Sequence, residues 1–271
     1  QTILHDRTRT AARSAIVHNA SPALFFNYLL KPDGTLSLHG FVKRHFRAPT
    51  FNERYYTDIG NALLRPEKAF QIALGAQWQH AFRHRLRQRL QLSAEVYYNK
   101  VHDKIIAYPK GQQFRWTMLN LGRVAVRGLD VNAALDACPK RALQVALQVR
   151  YSYQWAHDLT DPADAYYNQQ IPYAPHHSGA AVVSASFKRW ACYYSFIYVG
   201  RRYAQPENVR RNRLQPWYTH DLCLLRHFRL SRSLEGKLTL TINNIFNQQY
   251  EVIANYPMPG RTLNAALDIN F

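Results

Sequence analysis

The feature that most constrains this chain is alternation: in segment after segment, every second residue is apolar. Phe70, Ile72, Leu74, Ala76 and Trp78 interleave with Gln71, Ala73, Gly75, Gln77 and Gln79. Leu90, Leu92, Ala94, Val96 and Tyr98 interleave with Gln91, Ser93, Glu95, Tyr97 and Asn99. The run Leu143, Val145, Leu147, Val149, Tyr151, Tyr153, Trp155 does the same, and so does the final stretch, RTLNAALDINF, from Arg261 to Phe271. Side chains of an extended chain point to opposite faces in turn, so such a segment forms a strand with one apolar and one wet face. A soluble β-sandwich also alternates. Several of these apolar faces end in Tyr or Trp, where a transmembrane barrel places its aromatic girdle.

Loop lengths separate the two architectures. Short joints fall at Pro32-Asp33-Gly34, around His84, at Cys138-Pro139-Lys140, around Lys188-Arg189 and around Ser231-Ser233. Between them lie longer irregular connections, Arg47 to Pro66, His102 to Trp116, Ala156 to Pro175, Arg201 to Pro216 and Asn247 to Gly260. Short and long connections alternate, as in outer-membrane barrels with short periplasmic turns and longer extracellular loops. The expected fold class is therefore all-β, an antiparallel transmembrane β-barrel.

Eleven strands are predicted, near residues 22–30, 35–46, 67–82, 86–99, 118–137, 142–155, 177–187, 191–200, 218–229, 236–244 and 261–271, with room for a twelfth before Asn19. Alternation is poorest around Cys192 and Cys223.

Composition bounds the rest. The apolar fraction of 47% is too high for a disordered chain. No apolar run approaches the roughly 18 residues of a membrane helix, a test that barrels escape. Nothing near Gln1 resembles a signal peptide, so the chain reads as a processed product or as the C-terminal part of something longer. Three cysteines far apart form neither a disulfide framework nor a metal-ligand spacing. Thirty-five Lys and Arg against 17 Asp and Glu give a net charge of +18. That excess points to nucleic acid, anionic lipid or an acidic ligand. A nucleic-acid binder gathers its charge onto one face, whereas here it is spread along the chain, so nucleic acid is not expected as a partner.

Five motifs, in order, resemble the C-terminal barrel half of TonB-dependent outer-membrane receptors, the transporters of metal chelates and cobalamin. Phe46-Arg47-Ala48-Pro49 resembles the family's FRAP box, and Gly60 to Glu67 its GNPxLKPE stretch, with Ala62 in place of Pro. Asn120-Leu121-Gly122 through Gly128-Leu129-Asp130 resembles an N-x-G…V-x-G-x-E segment, with Asp for Glu. Ile171 to Ser178 resembles a P-x-x-P-x-H-S strand opening. Asn243 to Asn247, then Tyr256 to Arg261 and the terminal Phe271, resemble the family's ending. In residue terms these motifs read as architecture. Pro66 stops pairing before a strand, Gly128 marks a close approach or bend, and Gly260 supplies backbone freedom before the last strand.

The resemblance implies a barrel of about 22 strands with a plugged lumen. Residues 1–271 would supply its C-terminal portion, with the plug domain and first strands elsewhere. The implied partners are the TonB complex through that missing part, outer-membrane lipid and lipopolysaccharide, and a small-molecule chelate. Phe271 resembles the C-terminal aromatic recognised by the barrel assembly machinery. The implied location is the bacterial outer membrane, crossed many times.

Candidate ligand contacts lie in two long connections. The first carries Arg47, Arg54, Tyr55 and Tyr56, beside Asp58; the second carries Arg201, Arg202, Tyr203, Arg210 and Arg211, with Arg213 further along and only Glu207 opposing. Arg beside Tyr suits an anionic, partly aromatic ligand such as a ferric chelate. The alternative for these loops is a hydrated surface or contact with lipopolysaccharide. Haem receptors of similar sequence carry a His after the FRAP box. Residues 50–60 contain none, the nearest being His45, which counts against haem. His176 and His177 would face opposite sides of a strand and share no metal. No nucleophile motif, cofactor site or metal centre is found, so the chain is not expected to be an enzyme. The competing function is a surface-binding barrel that acts as an adhesin without transport.

Overall fold

In the computed structural model, the described residues are 19–82, 88–109, 116–140, 142–229 and 234–270. One eleven-stranded antiparallel sheet dominates. Its strands are β1 (Ala23–Leu29), β2 (Leu36–Arg47), β3 (Glu67–Phe82), β4 (Gln88–Pro109), β5 (Trp116–Lys140), β6 (Leu143–Asp158), β7 (His177–Phe187), β8 (Trp190–Val199), β11 (Trp217–Arg229), β12 (Glu235–Asn243) and β15 (Thr262–Asn270). Small two-stranded ribbons lie in two of the connections: β9 (Arg202–Tyr203) with β10 (Arg213–Leu214), and β13 (Glu251–Ile253) with β14 (Tyr256–Pro257). A five-residue helix, α1 (Phe51–Tyr55), follows β2.

Each large strand pairs with the next one in sequence, in the order β1-β2-β3-β4-β5-β6-β7-β8-β11-β12-β15. In such a meander successive connections must lie at opposite ends of the sheet. Residues 48–66, 159–176, 200–216 and 244–261 therefore share one end with the end of β4 at Pro109 and the start of β5 at Trp116. The turns at 30–35 and 188–189 lie at the other end. Gly34 shows how tight those turns are: its N–H donates to Lys31 O at 3.0 Å and its φ is +72°. Only glycine adopts that φ without steric cost.

The eleven expected strands are all present. The boundaries of β3 and β7 agree with the sequence pattern, and the poorly alternating segments around Cys192 and Cys223 are strands as well. The expected twelfth strand and the His84 and Ser231–Ser233 joints fall outside the described residues, as does Phe271. One connection differs from expectation. Residues 102–109 are strand instead of irregular loop: β4 and β5 stay paired as far as Pro109↔Trp116, well past the end of β6 at Asp158↔Val124. At 22 and 25 residues these strands greatly exceed the ~10 residues that cross a bilayer.

Register assigns every strand residue to a face. Trp78, Leu92, Ala133, Val149, Ala181 and Phe196 form one cross-strand row. One residue along, Gln77, Ser93, Asn132 and Arg150 form a row on the other face. All the alternating apolar sets predicted above thus share one face, Leu263, Ala265, Leu267 and Ile269 included. In β4 the apolar positions Leu92, Ala94, Val96 and Tyr98 are exposed, while Ser93, Glu95, Tyr97 and Asn99 are half-buried. Curvature crowds side chains on the concave face and spreads those on the convex one, so the apolar face is convex. Leu143, Val145, Leu147 and Val149 lie on it, and among the described residues no second sheet covers them, which argues against a sandwich.

The polar face carries its own contacts. His39 meets Glu95 at 3.3 Å, Lys237 meets Asp268 at 2.8 Å, and Ser152 donates to Asp130. Gly128 is the close approach expected of it, since a Cβ there would lie 2.5 Å from the Tyr97 ring and from Tyr153 O. Gly260 differs from expectation. Gly34 alone among the described glycines has positive φ, and the crowding at Gly260 comes from Asn247 Oδ1, 2.5 Å from where a Cβ would sit.

Gly128→Val should therefore cost ~1–3 kcal/mol by overpacking. The expected result is a lower yield of heat-modifiable folded barrel on gels, partly restored when Tyr97→Ala removes the ring.

Candidate functional site

The connections at the long-loop end are fixed by polar side chains that satisfy backbone groups of their neighbours. The first, residues 48–66, begins with a capping box. Thr50 Oγ1 accepts from Glu53 N, and the Glu53 carboxylate accepts from Thr50 N at 2.7 Å, which closes the N-terminus of α1. Arg47 joins this helix to the sheet. Its Nη1 donates to both Glu53 oxygens, while its Nε and Nη2 donate to the two oxygens of Glu67, all at 3.0 Å. Glu67 is 6% exposed and also accepts from Ile105 N at 2.6 Å. The FRAP-like arginine and the glutamate of the Arg-Pro-Glu stretch are thus two halves of one clamp.

Asn120 continues the chain of contacts. Its Nδ2 donates to Arg65 O and Asp103 O, and its Oδ1 accepts from Arg65 N, which ties residues 61–66 to the β4–β5 hairpin. The 159–176 connection docks against β5 through Leu159 N to Arg123 O, 2.8 Å, and through Trp116 and Tyr173, whose rings are 5.8 Å apart. It meets the next connection where Tyr173 N donates to Tyr203 O at 2.8 Å and Gln170 N to Asn208 Oδ1 at 2.7 Å. Arg202 secures the last joint. Its Nη2 donates to Glu251 O at 2.5 Å and Val252 O at 3.0 Å. Trp217 stacks on Tyr250 beside it, centroids 4.7 Å apart.

Between the 159–176 and 200–216 connections lies a cleft of about 480 Å³, lined by Arg201, Arg213, Tyr203, His176 and Gln170 among others. A second cleft of similar size shares Arg213, Gln215 and Pro216 and reaches Trp217, Tyr250 and Glu251. Two guanidiniums and no carboxylate line the first cleft. Arg213 Nε is buried and has no partner. Burial pushes the His176 imidazole below its ordinary pKa, so it stays neutral near pH 7 and serves as an acceptor or weak donor. The arrangement suits an anion of small-molecule size with an aromatic part.

The nine residues proposed from sequence separate by place. Arg201 and Tyr203 line the cleft. Arg202 does not: it is 2% exposed, turned onto backbone carbonyls, and its pKa is lowered by burial. Arg47 has its donors engaged by Glu53 and Glu67. Arg54 donates to Leu64 O within its own loop, and Tyr55 packs on Phe51 at 5.1 Å. Tyr56 is 58% exposed on that first loop, away from the cleft lining. Arg210 and Arg211 sit on a single 3-10 turn, with Arg211 80% exposed and 3.8 Å from Glu207. Arg213, noted from sequence only as part of the basic loop, and His176 join the set, because their neighbours in the cleft come from another connection, which spacing along the chain does not reveal. His176 precedes β7 instead of lying in it, so strand alternation with His177 does not apply, and both rings lie near Tyr153.

Removing the clamp tests its structural role. Arg47→Ala leaves Glu67 and Glu53 short of their charged partner and should cost about 2–3 kcal/mol. The expected result is faster proteolysis within residues 48–66, with the sheet intact. Burial pushes the Glu53 carboxyl up, but its hydrogen bonds from Thr50 and Arg47 outweigh this and hold it below its ordinary range. A depressed folded value stabilises above the unfolded pKa of about 4.3 and ceases to do so as pH falls through the folded value. Acidification through that folded value should therefore bring the wild-type protein toward the loop lability of Arg47→Ala at neutral pH.

Known proteins agree with this architecture. The family described as "TonB dependent receptor-like, beta-barrel" matches residues 4–245. The Vitamin B12 transporter BtuB of Photobacterium profundum is 23% identical over 233 residues, 83% of this chain and 34% of that protein. Among solved structures, the ferric citrate transporter FecA superposes with a TM-score of 0.66 at 16% identity, over 92% of this chain and 38% of its own. The ferric-catecholate import receptor Fiu from K12 E. coli gives 0.62 at 17% identity, over 99% and 39%. The chain spans well under half the length of these relatives. Proteins of this family are outer-membrane β-barrel receptors and transporters, not enzymes. With most of its length matched, and with a sequential meander whose apolar side chains share the convex face, this chain belongs to the TonB-dependent receptor-like β-barrel family.

Proposed function

We propose that this chain forms barrel wall and extracellular loops of a transporter that takes up a scarce anionic ligand, a ferric chelate or a cobalamin-like molecule, across the bacterial outer membrane. Energy would come from the TonB complex acting on a plug domain elsewhere in the protein, a reading supported by the family match, which is to the barrel and spans residues 4–245. Family membership supports the class of activity, and the named ligands of the relatives above supply the two candidate classes. The observation that carries the ligand reading is the cleft that joins Arg201, Arg213 and Tyr203 with no acid in its lining. Charge-assisted hydrogen bonds from two guanidiniums would hold the anionic part of the ligand, and Tyr203 would pack against its rings. Arg202 and Arg47 act indirectly, by holding the loops that present the cleft.

The test is growth. A strain lacking its own receptors and carrying the complete gene is supplied with ferric citrate, ferric catecholate or cobalamin as its only source. Rescue by one of these, lost when TonB is deleted, is the expected result. Combined Arg201→Ala and Arg213→Ala should weaken binding of that ligand ~10–100-fold at one to two lost charged hydrogen bonds. A receptor that is folded and surface-exposed yet rescues growth on none of the three would overturn the reading. Surface binding without rescue would instead favour the adhesin-like alternative.

A further inference from the structure

Three imidazoles, those of His157, His176 and His177, meet where the 159–176 connection returns to the sheet. His157, near the end of β6, stacks on Trp155 with ring centres 3.8 Å apart, and its ring centre is 5.7 Å from that of His176. Its Nδ1 lies 2.7 Å from Asn168 O. A carbonyl only accepts, so Nδ1 carries the proton, and Nε2 of the neutral ring keeps its lone pair. That Nε2 and the Nε2 of His176 are both buried, and among the described residues neither has a hydrogen-bond partner. Around them the connection closes onto β6. Asn168 N donates to Asp158 O at 2.7 Å, Ile171 N to Ala156 O at 3.0 Å, and Gln154 N to His176 O at 2.8 Å.

Two observations make this docking conditional. The first is electrostatic. Among the described residues no carboxylate faces either ring. The groups that do face them are Arg127 of β5, lying 4.2 Å from the centre of the Trp155 ring, Arg201 of the next connection, Tyr153 of β6 and His177 of β7. His177 is engaged by Tyr151 Oη at 2.8 Å, and Asp158 turns its carboxylate to Thr160 N and Oγ1. In an imidazolium both ring nitrogens carry hydrogen, so each Nε2 would become a buried donor without an acceptor, beside cations only. The second observation is backbone strain. Asn168 has φ of +59° and Tyr173 φ of +60°. Asn tolerates the left-handed region, but an aromatic residue there must be held by its surroundings. The docked form thus stores strain that any loss of contacts would release.

We infer that the 159–176 connection is an acid-released latch, docked on β6 and β7 while His157 and His176 are neutral and freed when either becomes an imidazolium. The charged ring turns out to water, Asn168 O loses its donor, and Asn168 and Tyr173 relax to negative φ. Gln170 and His176 then leave the wall of the cleft, so the latch controls the shape of that site whichever ligand occupies it. Burial depresses the folded value of His176. Docking is therefore fully stable above the ordinary imidazole pKa of about 6.5 and weakens as pH falls below it toward the folded value. The Glu53 clamp responds lower, in the carboxylate range.

The test is amide hydrogen exchange of the complete receptor without ligand, read by mass spectrometry and corrected for intrinsic rates. The peptide covering residues 159–176 should lose protection at least about fivefold from about pH 7.5 to about pH 5.5, while peptides of β4 keep theirs. The double variant His157→Gln, His176→Gln should lose this pH response. His227→Gln, beside the 188–189 turn at the opposite end, should keep it. Unchanged protection in the wild-type receptor overturns the inference, as does a response that persists in the double variant or vanishes in His227→Gln. Exchange at the imidazole C2 position, followed in the same wild-type samples, gives the titration of each ring without any substitution. The His176 midpoint should lie below about 6.5, in the range where the peptide opens. A midpoint at or above the ordinary value overturns the latch, even if the double variant fails to assemble or is open at every pH.

Discussion

The structure depends on one constraint: a strand that faces lipid must satisfy its backbone hydrogen bonds through its neighbours, because hydrocarbon offers no substitute. The sequential ladder from β1 to β15 meets that requirement for every interior strand. Once the ladder is in place, the rest of the wall follows from register. Opposite residues share a face, so the parity of each strand is locked to the next, and a slip of one residue would turn an entire apolar set toward the wet side. The two edge strands, β1 and β15, are where the requirement remains open among the described residues, and β1 is exposed on both faces.

At the long-loop end the same accounting is done by side chains. Connections that are neither helix nor sheet leave N–H and C=O groups without ladder partners, and these groups recruit polar side chains from the next connection. Asn120, Asn208 and Arg202 each bridge two segments in this way. Arg47 does so through two carboxylates instead. Each connection is thereby coupled to its neighbour from α1 across to the β13–β14 ribbon, and the clefts beside Arg213 are gaps between docked segments. The shape of those clefts thus depends on contacts made outside their lining.

Several elements were readable from the residues and several were not, for physical reasons. β3 and β7 match their predicted limits because lipid on one face and polar contacts on the other enforce alternation residue by residue. The upper part of β4 and β5 was missed because a hairpin projecting beyond the wall has no lipid face to enforce a period, and Asp103 interrupts it with φ of +55°. Helix α1 is too short for a 3.6-residue pattern, but its capping box, Thr50 followed by Glu53, was a signal present in the sequence. The positive charge looked diffuse along the chain. In the structure, part of it resolves into cleft arginines and arginines buried in loop joints.

What the sequence determined by itself was the set of strands, their two faces and the family motifs, because period-two alternation and turn residues act over a few neighbouring positions. What only the tertiary structure decided was the role of each arginine. Arg47 meets Glu67 across 20 residues, and Arg202 meets Val252 across 50. Arg201 reaches a cleft whose opposite wall, Gln170 and His176, comes from another connection. A guanidinium has the same charge and the same donors in all three settings. Which carboxylates, carbonyls or open space lie within 3 Å of it is fixed by strand order and loop docking, and neither is encoded in its immediate sequence.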